Sequence, residues 1–224
     1  MKILIGCPTS FHKEYCLNEY AKAVKELNHD ILLVDNSPND EYLNKIKKLN
    51  LNVIKGPYFE GALDRIINSR NLLRKYVLEN DYDYFFSLEQ DVIPPKDIIE
   101  RLLKHGKKVI TAVYFAHNNF PDGKTELMPL VYKLIKDRDM RPLNQEELWG
   151  NQGLMKVVSC GLGCVLIHRS VLEQVKFRYE RDVFDDRFFC ADLFEKKIPI
   201  YCDTKVKCKH LIMNRPYPWS KIKK

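Results

Sequence analysis

An α/β domain built on a mostly parallel central sheet, flanked by helices and carrying a smaller antiparallel element in its C-terminal half, is the fold this sequence predicts. Three observations point there. Through the first half of the 224 residues, short apolar runs alternate with segments of helical apolar spacing, the pattern of strands joined by crossover helices. Several of those runs end in polar, turn-forming residues. At 45% hydrophobic content, the chain suits one large core better than two small ones.

Lys2 to Cys7 reads as the first strand. A helix is expected from Lys13 to Leu27, where Leu17, Tyr20, Val24 and Leu27 share a face. Asp30 to Val34 follows as a strand ending at Asp35-Asn36-Ser37-Pro38, then a short helix from Asp40 to Leu49 and a strand from Leu51 to Ile54. Leu63, Ile66, Ile67, Leu73, Tyr76 and Val77 give the segment from Ala62 to Leu78 one apolar helical face. The aromatic run from Tyr82 to Leu88 reads as a strand buried on both sides. After Pro94-Pro95, a helix from Asp97 to Lys104 is closed by Gly106, and Lys108 to Phe115 is another strand. The second half is less regular, with strands at Leu130 to Ile135, Met155 to Ser159 and Cys164 to His168 around a polar stretch through Trp149-Gly150. A helix from Asp186 to Lys196 and strands at Ile200 to Cys202 and Val206 to Lys209 complete the pattern. With no repeat and no low-complexity linker, residues 1–224 are expected to form a single domain with halves at 1–115 and 116–224.

Apolar runs such as Val109 to Val113 fall far short of the roughly 20 residues that a membrane-spanning helix needs. The chain runs from Met1 into Cys7-Pro8 without a sustained apolar stretch, so no secretory leader is expected and the protein is predicted to be cytoplasmic. Its seven cysteines form no Cys-x-x-Cys pair, and free, mostly buried thiols are expected. Cys160, Cys164 and His168 have zinc-like spacing, but the neighbouring glycines and Val165-Leu166-Ile167 argue for a strand, which discounts that site. A net charge of +7 suits a phosphate-bearing partner. Part of it lies in Lys221-Ile222-Lys223-Lys224, which allows peripheral contact with anionic lipid headgroups. Nucleic acid is not indicated, because the basic residues are scattered and no reading motif accompanies them.

Ligands of an open parallel sheet bind beyond the carboxyl ends of its strands. That rule gathers Pro8-Thr9-Ser10, Asp35-Asn36-Ser37 and Glu89-Gln90-Asp91 at one edge, as a nucleotide pocket requires, although such turns also follow strands for local reasons. Residues two apart on extended backbone point the same way, so Glu89 and Asp91 are expected to converge on one cation, unless they are only a solvated strand end. Oxygen ligands suit Mg²⁺ or Mn²⁺, which complete their shells with water and substrate phosphates. Gly161 and Gly163 precede a strand, where glycine permits close approach of a ligand or a tight bend between packed strands. Asp185 and Asp186 open a helix, a position that stabilises a carboxylate whatever else it does.

Together these segments resemble the GT-A glycosyltransferases, particularly the family 2-like group, over nearly the whole chain. The resemblance implies a Rossmann-like sheet whose first half binds a nucleotide-diphosphate sugar and whose second half binds the acceptor and carries the catalytic base. Pro8-Thr9, with Ser10, matches the family's first turn, and Asp35 matches the acid that contacts the base. Ser69-Arg70-Asn71 looks like the Ala-Arg-Asn element, which implies that Arg70 lies near the nucleotide or its phosphates. Glu89-Gln90-Asp91 stands for Asp-x-Asp with Glu in the first place, implying Asp91 as metal ligand and Glu89 as a ribose or metal contact. Gly161 and Gly163 match the glycine loop. Asp185-Asp186 resembles the Glu-Asp motif, implying Asp186 as general base with Asp185 beside it, and His210 matches a closing histidine that ligates the metal. The implied activity is metal-dependent transfer of a hexosyl group to a glycan, lipid-linked or small-molecule acceptor, with inversion. A sugar-phosphate nucleotidyltransferase is the enzymatic alternative, although Gly6-Cys7-Pro8-Thr9-Ser10 lacks its Gly-x-Gly-x-Arg-Leu stretch. A non-catalytic nucleotide- or sugar-binding module is the other alternative. Trp149 is read as a loop anchor that could also stack on a sugar.

Overall fold

The computed structural model describes residues 1–119, 123–136, 139–150, 153–180, 184–212 and 215–216. The basic tail of residues 221–224, and with it the expected lipid contact, lies outside the described residues. The strands are β1 (Ile3–Thr9), β2 (Asp30–Asp35), β3 (Val53–Lys55), β4 (Tyr84–Leu88), β5 (Val92–Ile93), β6 (Val109–Val113), β7 (Phe115–Asn119) and β8 (Thr125–Pro129). They continue with β9 (Val131–Lys136), β10 (Asp139–Pro142), β11 (Leu154–Val157), β12 (Ser159–Cys160), β13 (Cys164–His168), β14 (Ile200–Lys207), β15 (Lys209–Ile212) and β16 (Arg215–Pro216). The helices are α1 (Leu17–Lys25), α2 (Glu41–Lys48), α3 (Ala62–Glu79), α4 (Ile98–Leu103), α5 (Gln145–Trp149), α6 (Arg169–Leu172) and α7 (Asp185–Glu195).

Eight strands form the central sheet in the order β11-β14-β6-β13-β4-β1-β2-β3. β1 pairs parallel with β2 and β4, β2 with β3, and β6 with β14, whereas β13 runs antiparallel between β4 and β6 and β11 lies antiparallel on the edge. The mostly parallel sheet and the smaller antiparallel pieces agree with the expected fold class.

Two-residue alternation sorts each inner strand into two cores. On one face Ile3, Ile5, Cys7, Leu33, Phe86 and Leu88 meet α1, α2 and α4 through Tyr20, Val24, Tyr42, Ile46 and Ile98. On the other, Leu4, Leu32, Val34 and Phe85 meet α3, α6 and α7 through Leu73, Val77, Leu172, Phe189 and Leu193. Each fully buried aromatic here, Phe85 and Phe86 among them, contributes roughly 1.5–3 kcal/mol by leaving water. Because both faces are covered, β4 reads as a continuous apolar run.

Three departures from the expected elements matter. Residues Phe11–Cys16 form a 3₁₀ helix ahead of α1, with Lys13 N–H donating to Ser10 O at 2.8 Å, so the chain turns more tightly after β1 than an α-helix from Lys13 would. β14 is one strand with its register shifted between Asp203 and Lys207, where two strands were expected. The irregular stretch holds the β7–β8 hairpin, the β9–β10 pair and α5, whose Asn144 and Glu147 form a capping box. Trp149 is half-buried at the end of α5, with the Lys207 ammonium 4.3 Å over its ring, the anchored arrangement. All seven cysteines are free and buried, and Cys164 to His168 is the strand that the zinc argument required. Among the described residues no helix is long and apolar enough to cross a membrane.

Candidate active site

A cavity of about 370 Å³ opens beyond the carboxyl ends of β1, β2 and β4. Pro8, Thr9, Ser10 and Asn36 line it from the strand ends, Ala62, Arg65, Ile66 and Arg70 from α3, Glu89 and Gln90 from the turn after β4, and Asp185 and Asp186 from the start of α7. Of the predicted site residues, Pro8, Thr9, Ser10, Arg70, Glu89, Gln90, Asp185 and Asp186 therefore meet at one place.

Arg70 organises the acidic side. Its side chain is almost wholly buried on α3, where Nη1 donates to Ser87 Oγ at 2.9 Å and Nη2 to Glu89 Oε1 at 2.7 Å, while Nε faces Asp185 Oδ2 at 2.6 Å. Burial works against its charge, but Asp185 and Glu89 outweigh burial and hold the guanidinium protonated. Asp186 lies half-buried beside this pair. Burial, then repulsion from Asp185, raise its pKa, and the 2.7 Å bond from Arg187 N–H only partly offsets them. A carboxylate whose proton affinity is raised in a cavity suits a general base.

Glu89 and Asp91 do not converge. β4 stops at Leu88, and Val92 N–H donates to Glu89 O at 2.9 Å, so the two acids sit on a turn and extended-chain alternation does not apply. Glu89 joins Arg70, whereas Asp91 takes other partners. One oxygen of Asp91, Oδ2, contacts the Lys13 ammonium and lies 3.3 Å from His210 Nε2. β15 delivers His210 by pairing antiparallel with β5, with His210 opposite Val92. Burial pushes the Asp91 carboxyl up, but the His210 hydrogen bond and Lys13 outweigh it and hold it down at about 2. The His210 imidazolium is favoured in turn: burial opposes it, and the bond to Asp91 prevails.

Asp91 Oδ1 is buried without a hydrogen-bond partner, and His210 Nδ1 lies 2.6 Å from Phe115 O, which accepts its proton and leaves Nε2 as the coordinating atom once that nitrogen is deprotonated. One carboxylate and one imidazole fit Mn²⁺ or Mg²⁺ with phosphate and water completing the shell. Glu89 is paired with Arg70, and among the described residues no three His, Cys, Asp or Glu gather as a metal centre.

Asp35 is wholly buried and outside the cavity lining. Ser37 N–H and Oγ donate to its Oδ1 at 3.0 and 2.5 Å, and Lys55 Nζ to its Oδ2 at 3.0 Å, so its carboxylate is satisfied within the protein. Gln90 is pinned as well: its Oε1 accepts from Thr9 and from Tyr42, and its Nε2 donates to Lys13 O at 2.7 Å.

Gly161 and Gly163 are explained by Tyr114. A Cβ on either would collide with the Tyr114 hydroxyl, which accepts from Gly163 N–H at 2.9 Å, so the tight-bend reading accounts for both. Gly161→Ala is expected to lose about 1–3 kcal/mol in chemical denaturation. Combining it with Tyr114→Phe, which removes the nearest colliding atom, should recover part of that loss; equal losses in both backgrounds would refute the collision.

Lys13, Tyr114 and Arg65 escaped the sequence reading. Lys13 stands three residues after the Ser10 turn, a signal that a 3₁₀ reading of that segment could have used. Tyr114, at the end of a buried strand, has no distinguishing pattern.

No family model and no curated protein matches the chain. Solved structures do share its fold. A197 from STIV aligns over 96% of this chain and 88% of its own at 18% identity, with a TM-score of 0.55. The mannosyltransferase PcManGT from Pyrobaculum calidifontis, in complex with GDP-Man and Mn²⁺, aligns over 92% of this chain and 56% of its own at 12% identity, with a TM-score of 0.61. A CMP:2-keto-3-deoxy-manno-octonic acid synthetase complexed with CTP aligns over 90% and 89% at 13% identity, with a TM-score of 0.52. The sheet, its helices and a cavity at the strand ends define a GT-A-like fold. This chain spans little more than half the length of the mannosyltransferase that shares it.

Proposed function

We propose that the protein is a glycosyltransferase that moves a hexosyl group from a nucleotide-diphosphate sugar to an acceptor hydroxyl. The observation that carries this reading is Asp186, an acid of raised proton affinity facing a cavity at the carboxyl ends of the strands. Pro8, Thr9, Ser10, Asn36 and Arg65 offer the nucleotide side, within the first half of the chain; Asp185 and Asp186 come from the second. Asp186 takes the acceptor's hydroxyl proton as its oxygen bonds to the anomeric carbon, and the bond from that carbon to the diphosphate breaks, releasing the nucleoside diphosphate. In-line attack from the face opposite the leaving group inverts the anomeric configuration. Arg70 holds Asp185 and Glu89 in place around that step. A divalent cation held by Asp91 and His210 would neutralise charge on the leaving diphosphate.

The test is nucleotide release across UDP- and GDP-sugars with an acceptor panel, with the product's anomeric configuration read by NMR. Release with inversion is expected; retention would overturn the single-base mechanism. The CTP complex of the synthetase supports a second reading, nucleotidyl transfer, so the same panel includes CTP with sugar acids. Pyrophosphate release there, without sugar transfer, would favour it.

A further inference from the structure

We propose that the Lys13 ammonium is a fixed cation for the donor's diphosphate, so that this site grips a nucleoside diphosphate without needing a divalent metal. The inference rests on the nucleotide-sugar reading and concerns the corner where Asp91 lies. Asp91 Oδ2 contacts the Lys13 ammonium and lies 3.3 Å from His210 Nε2. Of these three groups Lys13 lines the cavity, so its ammonium is the cation a ligand meets at this corner. The acidic side of the cavity is the reverse, with Glu89, Asp185 and Asp186 set against Arg70. A leaving diphosphate is stabilised at the Lys13 end, and a hydroxyl that must lose a proton sits well at the Asp186 end.

Lys13 is also positioned rather than merely present. Its N–H closes the tight turn on Ser10 O at 2.8 Å, and its carbonyl accepts from Gln90 Nε2 at 2.7 Å, with Gln90 itself tied to Thr9 and Tyr42. The side chain lines the cavity and keeps about a third of its surface exposed, while its ammonium touches the buried Asp91. An ammonium has three donors, and Asp91 is the acceptor found for Nζ among the described residues, which leaves donors for phosphate oxygens. Asp91 then serves to aim Lys13. Lys13 occupies Oδ2, and Oδ1 is the Asp91 oxygen that has no hydrogen-bond partner.

The experiment is calorimetric titration of UDP and GDP into the full chain, in excess EDTA and in Mn²⁺, for wild type, Lys13→Ala and Lys13→Arg, with thermal melts confirming that each variant is folded. Wild type is expected to bind one of the two in EDTA. Lys13→Ala should bind at least tenfold more weakly there, and Lys13→Arg should stay within a few-fold of wild type. Binding by wild type only when Mn²⁺ is present, or undiminished binding by Lys13→Ala in EDTA, overturns the role of Lys13 and leaves the glycosyltransferase reading standing. No binding of either nucleotide by wild type under both conditions removes that reading as well.

Discussion

The Asp186→Asn variant is expected to bind nucleoside diphosphates as wild type does and to transfer sugar about 10²–10⁴-fold more slowly, the range a positioned base contributes. Amide for carboxylate keeps the shape and the contact with Arg187 N–H but removes the proton acceptor. The pH profile supplies an independent readout. A base works deprotonated, so kcat/KM falls as pH falls through its pKa. Burial and Asp185 raise that pKa, which places the acid limb above the ordinary aspartate value of about 4. Asp185→Asn removes the repulsion and should move the limb toward lower pH. Wild-type turnover by Asp186→Asn, or an acid limb at the ordinary carboxylate position, would sink the assignment.

The parts of this site that could be read from sequence are those whose chemistry is local. Pro8-Thr9-Ser10 and Glu89-Gln90 follow buried strands, and strand burial leaves a period or an apolar run that needs no partner to be recognised. Asp185 and Asp186 are marked by their place at the start of α7. What the sequence hides is pairing. The insertion of β13 antiparallel between β4 and β6 leaves the same apolar run that a parallel neighbour would. Lys13 meets an acid 78 positions away, and only the 3₁₀ turn after Ser10 brings it there. The Glu89 and Asp91 pair shows the same limit from the other side. Period-two reasoning holds on a strand, and the strand had ended one residue earlier. The two acids therefore take different partners, Glu89 with Arg70 and Asp91 with Lys13 and His210.

Arg70→Ala should be strongly destabilising. Arg70 answers Glu89 and Asp185 at once and anchors to Ser87, which in turn donates to Leu162 O at 2.6 Å behind the cavity. Removing the guanidinium leaves the Asp185 carboxylate buried and uncompensated, a change that costs about 3–5 kcal/mol. For a domain of this size that corresponds to a fall in Tm of roughly 6–20 °C. Lysine is a poor substitute, because a point charge on a flexible stem does not satisfy Ser87, Glu89 and Asp185 together, and Arg70→Lys should fall between wild type and alanine. The cause is separable by a double-mutant cycle in chemical denaturation. If the loss comes from the stranded acid, Arg70→Met combined with Asp185→Asn should be more stable than Arg70→Met alone, because the partner is then neutral. Arg70→Ala within about 1 kcal/mol of wild type, or no recovery in the double variant, would contradict a buried ion pair at this position. Recovery of stability without recovery of transfer is the expected outcome, since the double variant folds but no longer has the charged pair that positions the wall beside Asp186.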